Sequence, residues 1–227
     1  MTLRKILDWL DRELDAGKFS DVSNNGLQIA GPEKVSKVAF AVDASLESVE
    51  AAVDRGAQLL VVHHGISWGG GIKRIEGGVY NVVKVAIEGG LAIAAYHLPL
   101  DASEKYGNNF ELARFLGLKR LKPAFRYHGN VIGVTGFNPQ GVKVAVVSGG
   151  AGEFAEEAKN LGCALFITGE ASWGETIAAE NCGMKMICAG HYATETFGVK
   201  ALARAMKTKL RIETEFIQRT AATGREA

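Results

Sequence analysis

Histidines and carboxylates in this sequence fall at spacings that suit a metal site. Four of the five histidines lie at the ends of short apolar runs, and two of them are followed four residues later by a carboxylate. These residues are His63, His64, His97 with Asp101, and His191 with Glu195. Histidine and carboxylate ligands without cysteine suit Zn, Fe, Mn, Ni or Co. A single histidine at a strand end is usually structural, but this matched set favours a metal site.

The donor set is larger than one catalytic zinc ion normally takes, so a carboxylate that bridges two ions is the simplest arrangement. Paired ions about 3.5–4 Å apart polarise a substrate oxygen and generate hydroxide near neutral pH, which is hydrolytic chemistry. Spacing alone leaves the geometry of each pair open. Pro99 favours a loop around Asp101. His191 and Glu195 would share one helix face if they form the first turn of the last helix.

The pair His63-His64 ends the segment around which the sequence is organised. The preceding residues 59–62 are apolar, branched and uninterrupted, which predicts a strand buried on both faces of a parallel sheet. Open α/β folds place their sites at the carboxyl ends of such strands. Neighbouring side chains on a strand point to opposite faces, so both rings can serve one site only where the strand ends. Gly65 permits irregular backbone there, and residues 65–71 predict a loop that covers the site.

The sequence also contains an internal repeat of α/β type. A strand predicted at 143–147 resembles that at 37–41, and residues 164–170 take the place of the histidine strand. The tripeptide Ser67-Trp68-Gly69 returns as Ser172-Trp173-Gly174. We therefore predict an α/β fold with layered sheets flanked by helices. Its two similar halves, 1–120 and 121–227, would be related by pseudo-twofold symmetry, with the metal site between them.

Three segments have less distinct patterns. Residues 118–142 predict only a strand at 131–134 and a turn at 138–141. The basic residues Lys119, Arg120 and Lys122 predict a solvated face rather than a binding site. The last helix is predicted over 196–207, and the polar tail from Thr220 is expected to be frayed.

Several other residues each have two interpretations. Asp43 is a candidate ligand, although we favour support of a ligand or a role in helix capping. Glu170 stands where the histidine pair stands in the first half, which makes it a candidate proton carrier or a solvent-facing acid. Trp68 and Trp173 could stack on a planar substrate or pack within their loops. His128 lies away from the strand ends and is predicted to be a surface or structural residue.

Composition argues against several classes of protein. The chain has 227 residues and a net charge of +1, which gives no electrostatic footprint for nucleic acid. No apolar run is long enough to cross a bilayer, and the charged N-terminal segment does not resemble a signal peptide. The three cysteines form no CxxC pair and predict reduced core thiols. We expect a cytoplasmic protein.

Three separated motifs carry a family resemblance. They are Val62-His63-His64-Gly65, Tyr96-His97-Leu98-Pro99-Leu100-Asp101-Ala102 and Gly190-His191-Tyr192-Ala193-Thr194-Glu195. Together they resemble the Nif-three-like dinuclear metal-centre family, whose members are often named GTP cyclohydrolase 1 type 2 homologues. Two further segments are similar to the family, Asn25-Gly26-Leu27-Gln28-Ile29 and Gly107-Asn108-Asn109. Only residues 118–142 lie where some relatives carry an extra domain, so the chain resembles the compact form.

The resemblance implies two divalent metal ions per chain (Zn, Fe, Mn, Ni or Co) and five protein ligands. His63 and His64 would bind one ion each, and Glu195 would bridge the two ions. Asp101 would join His64 on its ion, and His191 would join His63. The resemblance also implies a homohexamer, a trimer of dimers, whose sites face an internal cavity.

For function, the resemblance implies a metal-dependent hydrolase that acts on a small nucleotide-like substrate. His97 matches a family position near the metals and would support the ligands or act in catalysis, and His97 or Glu170 would move protons. The alternative is a non-enzymatic metal-binding regulator or interaction protein that forms a ring. We expect no membrane and no nucleic acid among its partners.

Overall fold

The computed structural model describes residues 1–220, which form a mixed α/β structure. The helices are α1 (Leu3–Glu13), α2 (Leu46–Asp54), α3 (Gly77–Glu88), α4 (Leu98–Ala102), α5 (Asn108–Phe115), α6 (Ala155–Asn160), α7 (Trp173–Asn181) and α8 (His191–Leu210). The strands are β1 (Gly26–Ile29), β2 (Lys37–Asp43), β3 (Leu59–His64), β4 (Ala92–Ala95), β5 (Lys119–Tyr127), β6 (Asn130–Phe137), β7 (Lys143–Gly150), β8 (Leu165–Glu170), β9 (Met186–Cys188) and β10 (Glu213–Phe216). Two five-stranded sheets flanked by helices confirm the predicted fold class.

The chain divides into two compact units. The first contains residues 1–100 and the chain from Val199 onward, and the second contains residues 101–198. This division differs from the sequence-based boundary at residue 120. The C-terminal segment belongs to the first unit because β10 pairs in parallel with β2, so that Thr214 lies opposite Val38. A pattern of apolar residues does not reveal such a distant pairing partner.

In the first unit the strand order is β1-β4-β3-β2-β10. Only β1 runs antiparallel to its neighbour, and β3 lies at the centre of the sheet. All residues of β3 before His64 are buried. A central strand covered on both faces needs apolar side chains at every position, which explains the uninterrupted run at 59–62. The helix α2 begins where the Ser45 side chain accepts a hydrogen bond from the Ser48 amide.

In the second unit the strand order is β5-β6-β7-β8-β9. The strands β7, β8 and β9 are parallel, as are β2, β3 and β4 in the first unit. These two triplets are the counterparts that the internal repeat predicts. The strands β5 and β6 extend the second sheet in antiparallel fashion. Its core includes Phe110, Val134, Val144, Val146 and Ile167.

The hairpin β5–β6 corrects the prediction for residues 118–142, which had only one strand at 131–134. Its two-residue turn is His128-Gly129, with φ of 48° and 82° at these residues. Two central residues with positive φ are typical of the tight turns that join antiparallel strands. The strand β5 was not predicted, because charged residues and Pro123 interrupt its apolar pattern. His128 is an exposed turn residue, and the basic residues Lys119 and Lys122 are exposed as predicted.

Two helices also differ from the prediction. Asp101 lies in α4 and not in a loop, because Pro99 occupies the first turn of that helix. Amides in the first turn have no intrahelical acceptor, so proline is tolerated there. The helix α8 begins at His191 and not at residue 196, which places His191 and Glu195 in its first turns.

Smaller expectations had mixed outcomes. Cys163 is buried as predicted, but Cys182 is half-buried and Cys188 is exposed. Thr220 donates its amide hydrogen to Glu47 Oε1 at 2.8 Å, and the remainder of the predicted frayed tail, 221–227, lies outside the described residues. Within the described part of the chain, no helix combines the length and apolar composition needed to cross a membrane.

Candidate metal centre

Three histidines of the first unit meet at the carboxyl ends of β3 and β4. The ring centroids of His63 and His64 lie 4.6 Å apart, and that of His97 lies 5.0 Å and 5.7 Å from them. Each ring offers one nitrogen, and these nitrogens lie within 4.8 Å of one another. His63 is fully buried, whereas the other two are partly exposed. The arrangement therefore gathers three imidazole nitrogen donors at the position where α/β folds place their sites.

Every histidine predicted to serve the site uses its Nδ1 atom in a hydrogen bond to an oxygen. The four bonds are His63 to Tyr96 O (3.1 Å), His64 to Asp43 Oδ1 (2.9 Å), His97 to Asp21 Oδ1 (2.9 Å) and His191 to Glu170 Oε1 (2.9 Å). Carbonyl and ionised carboxylate oxygens only accept hydrogen bonds, so each Nδ1 carries the hydrogen. The Nε2 lone pair then points away from the support. Metal-binding histidines are held in this way.

In the second unit, α8 supplies a histidine and a carboxylate from one face. His191 Nε2 lies 3.1 Å from Glu195 Oε1, as residues four apart on a helix can. Two donor atoms bound to one ion at about 2.0–2.2 Å are separated by a similar distance. The hydrogen bond to Glu195, followed by the negative charges of Glu195 and Glu170, raises the pKa of His191 to about 9. The donor set therefore fits a divalent cation, which would take the place of that proton.

A glycine of β7 leaves room for these two donors. At Gly149, where φ is +71°, a Cβ atom would lie 2.5 Å from Glu195 Oε1 and 3.5 Å from His191 Nε2. Any side chain there would therefore fill the space beside the donors. The Gly149 amide instead donates to Thr194 Oγ1 at 3.1 Å, which ties the end of β7 to the start of α8.

Asp101 is held by a network of its own within the second unit. It is buried, and its Oδ1 accepts a hydrogen bond from Asn108 Nδ2 at 2.9 Å. Ser148 Oγ lies 3.4 Å from the same oxygen, and Asn109 Oδ1 accepts from the Ser148 amide at 2.6 Å. Sequence reasoning found the two asparagines only as part of the family resemblance. Their side chains fix the orientation of a predicted ligand.

Asp21 supports His97, and sequence reasoning missed it. Its side chain is only 1% exposed and accepts hydrogen bonds from His97 Nδ1, the Leu98 amide and Asn25 Nδ2. Burial alone would raise the pKa of this carboxyl. The hydrogen bonds from His97 and Asn25 and the charge of His97 outweigh burial and hold the pKa well below its usual range. An ionised Asp21 therefore orients the imidazole of His97. The turn-forming segment around it gave no indication of this contact.

Two further residues support the histidines of β3. Asp43 lies opposite His64 in the pairing of β2 with β3, and its carboxylate holds the ring as described above. Asp43 therefore supports a predicted ligand, which is one of the interpretations from the sequence. It does not cap α2, because the cap is Ser45. The Tyr96 side chain is fully buried and donates its hydroxyl hydrogen to Asp11 Oδ1 at 2.7 Å. Burial, together with Asp11, raises the pKa of Tyr96, which keeps the hydroxyl a donor.

Gly65 is required for a different reason from the one predicted. A Cβ atom at this position would lie 2.6 Å from Ala95 Cβ and would also overlap the amide of Gln28. The residue after the histidine pair must therefore lack a side chain because the loop packs closely on β4 and β1.

The carboxylate of Glu170, which is largely exposed, contacts His191, a partner that the sequence did not predict.

Comparison with known proteins identifies the relatives of this chain. The family described as Duf34/NIF3 (NGG1p interacting factor 3) matches residues 1–141 and 126–222. A protein of Pyrococcus horikoshii named GTP cyclohydrolase 1 type 2 homolog is 40% identical over 94% of this chain and 96% of its own length. A protein of the same name from Archaeoglobus fulgidus is 39% identical over 96% of this chain and 98% of its own length.

Solved structures give the same result. A protein described as ybgI, of unknown function, superposes with a TM-score of 0.90 and 28% identity, over 98% of this chain and all of that chain. TTHA1606 from Thermus thermophilus superposes with a TM-score of 0.84 and 34% identity, over 97% of this chain and 99% of that chain. The similarity therefore extends over the whole fold and is not confined to one motif.

Proposed function

The chain belongs to the Duf34/NIF3 family, and on that premise we propose that it binds two divalent metal ions and hydrolyses a small nucleotide-like substrate. The carrying observation is the common orientation of four imidazoles, each held through Nδ1 with Nε2 directed away from its support. A metal-binding role would explain why all four rings are held through Nδ1, by one backbone carbonyl and three carboxylates. The name GTP cyclohydrolase 1 type 2 homolog, borne by the relatives, is the source of the substrate class.

We assign the ligands as the family resemblance implies. His63 and His64 would bind one ion each, and Glu195 would be shared by both ions. Asp101 would join His64 as a ligand, and His191 would join His63. When bound, the ions polarise a substrate oxygen and acidify water.

The remaining residues of the site orient groups and move protons. His97, fixed by the ionised Asp21, presents Nε2 as an acceptor or donor for a proton of the substrate. Glu170, which was a candidate proton carrier from the sequence, holds His191 through Nδ1, and its exposed carboxylate can also exchange protons with solvent.

We further propose the homohexamer that the resemblance implies. Light scattering coupled to size exclusion tests that assembly, and a monomer would contradict it.

The first test is metal content per chain, measured by elemental analysis on untagged protein. Wild type is compared with His64→Ala, and His128→Asn is the matched control because His128 is an exposed turn residue with positive φ, which asparagine tolerates. We expect about two ions per chain in wild type and in the control, as a paired-metal site requires, and loss of metal in His64→Ala. Near-zero metal in wild type after reconstitution would contradict the proposal.

The second test is turnover by the metal-loaded protein. Purine and pyrimidine nucleotides are incubated with it, and mass spectrometry detects products that have gained one water. Glu195→Gln and His97→Gln should abolish turnover, and circular dichroism should show that both variants remain folded. Full metal occupancy without turnover of any nucleotide would refute the hydrolase and leave the non-enzymatic metal-binding protein as the function.

A further inference from the structure

The loop that follows the histidine pair is fastened to the N-terminal part of the first unit. The Asn24 amide donates to Ser67 O at 3.1 Å, and the Gly69 amide donates to Val22 O at 2.6 Å. The Gln28 side chain accepts from the amides of Ile66 (2.7 Å) and Ser67 (3.1 Å). These bonds involve mainly backbone atoms of the loop. Residues 66–69 therefore form a support that is held in place by hydrogen bonds to residues 22–28.

The support fixes one aromatic ring beside the histidines. Trp68 donates its Nε1 hydrogen to Gly65 O at 2.8 Å, which fixes the polar edge of the indole. The ring centroid lies 5.2 Å from that of His97, at an interplanar angle of 72°, and 6.0 Å from that of His64. Even so, 37% of Trp68 remains exposed. Part of an indole whose N–H is already satisfied thus faces solvent next to the candidate metal donors.

From this geometry we infer that Trp68 is a stacking surface that selects substrates with a planar, unsaturated heterocycle. The inference rests on the proposed function and adds a specificity-determining residue to its site. The orientation of the indole is fixed before any ligand arrives, so little conformational freedom is lost on stacking. Stacking on an aromatic side chain tolerates many bases, because every base presents a π face. Trp68 accordingly selects for planarity and not for one nucleobase.

The probes for the test are UMP and 5,6-dihydro-UMP, with GMP as a larger planar ligand. UMP and its dihydro form share the ribose, the phosphate and the hydrogen-bonding groups of the base, but only UMP has a planar ring. Binding to metal-reconstituted protein is measured by titration calorimetry. Wild type should bind UMP and GMP about tenfold or more tightly than dihydro-UMP, which is the range expected for one base stacked on an aromatic ring.

Three variants separate stacking from support of the histidines. Trp68→Leu should weaken UMP and GMP binding by about tenfold or more and leave dihydro-UMP binding unchanged. Trp68→Phe, which retains a π face, should keep most of the preference for planar ligands. Trp173→Leu is the matched control, since Trp173 comes from the repeated tripeptide and is 78% exposed. Metal content is measured in every variant and should stay at the wild-type level.

Equal affinity of wild type for UMP and dihydro-UMP, or no binding of any of the three probes, would overturn the inference. Loss of metal in both Trp68→Leu and Trp68→Phe would also overturn it, because the indole would then serve only to position the histidines. The outcome is separable from that of the proposed function. If the probes bind in a way that depends on Trp68 but are not turned over, the inference is supported and the hydrolase is contradicted. If turnover occurs and is unchanged in Trp68→Leu, the hydrolase is supported and the inference is contradicted.

Discussion

The tripeptide Ser-Trp-Gly occurs after β3 and again after β8, and the two copies fold differently. After β8, Ser172 caps the start of α7. Its side chain accepts a hydrogen bond from the Glu175 amide, and the Glu175 side chain accepts one from the Ser172 amide. After β3, Ser67 is followed by a run of glycines and lies in a loop bonded to Asn24. The same three residues thus become a helix start or a rigid loop according to the residues that follow them.

The difference decides what each unit offers to chemistry. At the end of β3 the strand itself carries two imidazoles, and the loop holds Trp68 beside His64 and His97. At the end of β8 the strand carries Glu170, which orients His191 on the neighbouring helix α8. Equivalent strand ends therefore carry predicted ligands in the first unit and a support for a predicted ligand in the second. Internal repeats in a sequence indicate shared structure, but they do not indicate shared roles.

The largest expected effect concerns the close packing at the two strand ends. A Cβ atom at Gly169 would lie 2.6 Å from Gly149 O and 2.8 Å from His191 Cα, which are backbone positions that cannot move aside. Gly169→Ala should therefore lower the free energy of unfolding by about 1–3 kcal/mol. Gly65→Ala should also destabilise the protein, because the Ala95 Cβ atom, 2.6 Å away, is fixed to β4 and cannot shift as the Gln28 side chain can.

Urea unfolding of the metal-free protein measures both changes, and Gly174→Ala is the control. Gly174 lies in α7 with no atom near its Cβ position, so alanine should stabilise the protein by about 0.5–1 kcal/mol. Equal stability of Gly169→Ala and wild type would show that β8 and α8 are less tightly packed than described.

The next largest effect is expected on metal affinity, when the two carboxylates that support histidines are removed. Asp43→Ala removes the acceptor of His64, and Glu170→Ala removes that of His191. Loss of such a support weakens metal binding about 10- to 100-fold. We expect the larger loss for Asp43, whose side chain is 33% exposed against 62% for Glu170. Competition with a zinc chelator measures both affinities. The exposed Asp54→Ala is the control, and an equal loss in all three variants would contradict the assignment.

The two serines provide a finer test of the repeated tripeptide. Ser172→Ala removes a helix cap and should lower the free energy of unfolding by about 1 kcal/mol. Ser67→Ala removes one exposed hydrogen bond from Asn24 and should change it by less than about 0.5 kcal/mol. Thermal or urea unfolding of the two single variants is sufficient. The reverse order of effects would mean that the loop, and not the helix, depends on its serine.

The last expected effect is a pH dependence that arises at His191 in the second unit. The pKa of His191 is raised from 6.5 to about 9 in the metal-free protein, so its protonated form stabilises the fold fully below pH 6.5. That contribution is lost as the pH rises through 9. The difference in Tm between wild type and His191→Gln, both without metal, should therefore shrink from pH 6.5 to pH 9.5. A difference that does not depend on pH would contradict the raised pKa.

The sequence predicted the central strands and the donor residues of the candidate site. Continuous apolar runs predicted β3 and β4, because strands covered on both faces favour apolar side chains. Histidines at their ends, and the spacing of His191 and Glu195, follow from the chain order alone. The family motifs indicated the predicted ligand set.

Tertiary structure decided the contacts that no local pattern encodes. The pairing of β10 with β2 and the support of His97 by Asp21 join residues far apart in the sequence. Hydrogen bonds across such distances form only when the fold brings the partners together, and they alone fix the tautomer of each histidine. The sequence thus specified which donors are present, and the fold specified which nitrogen of each ring is presented.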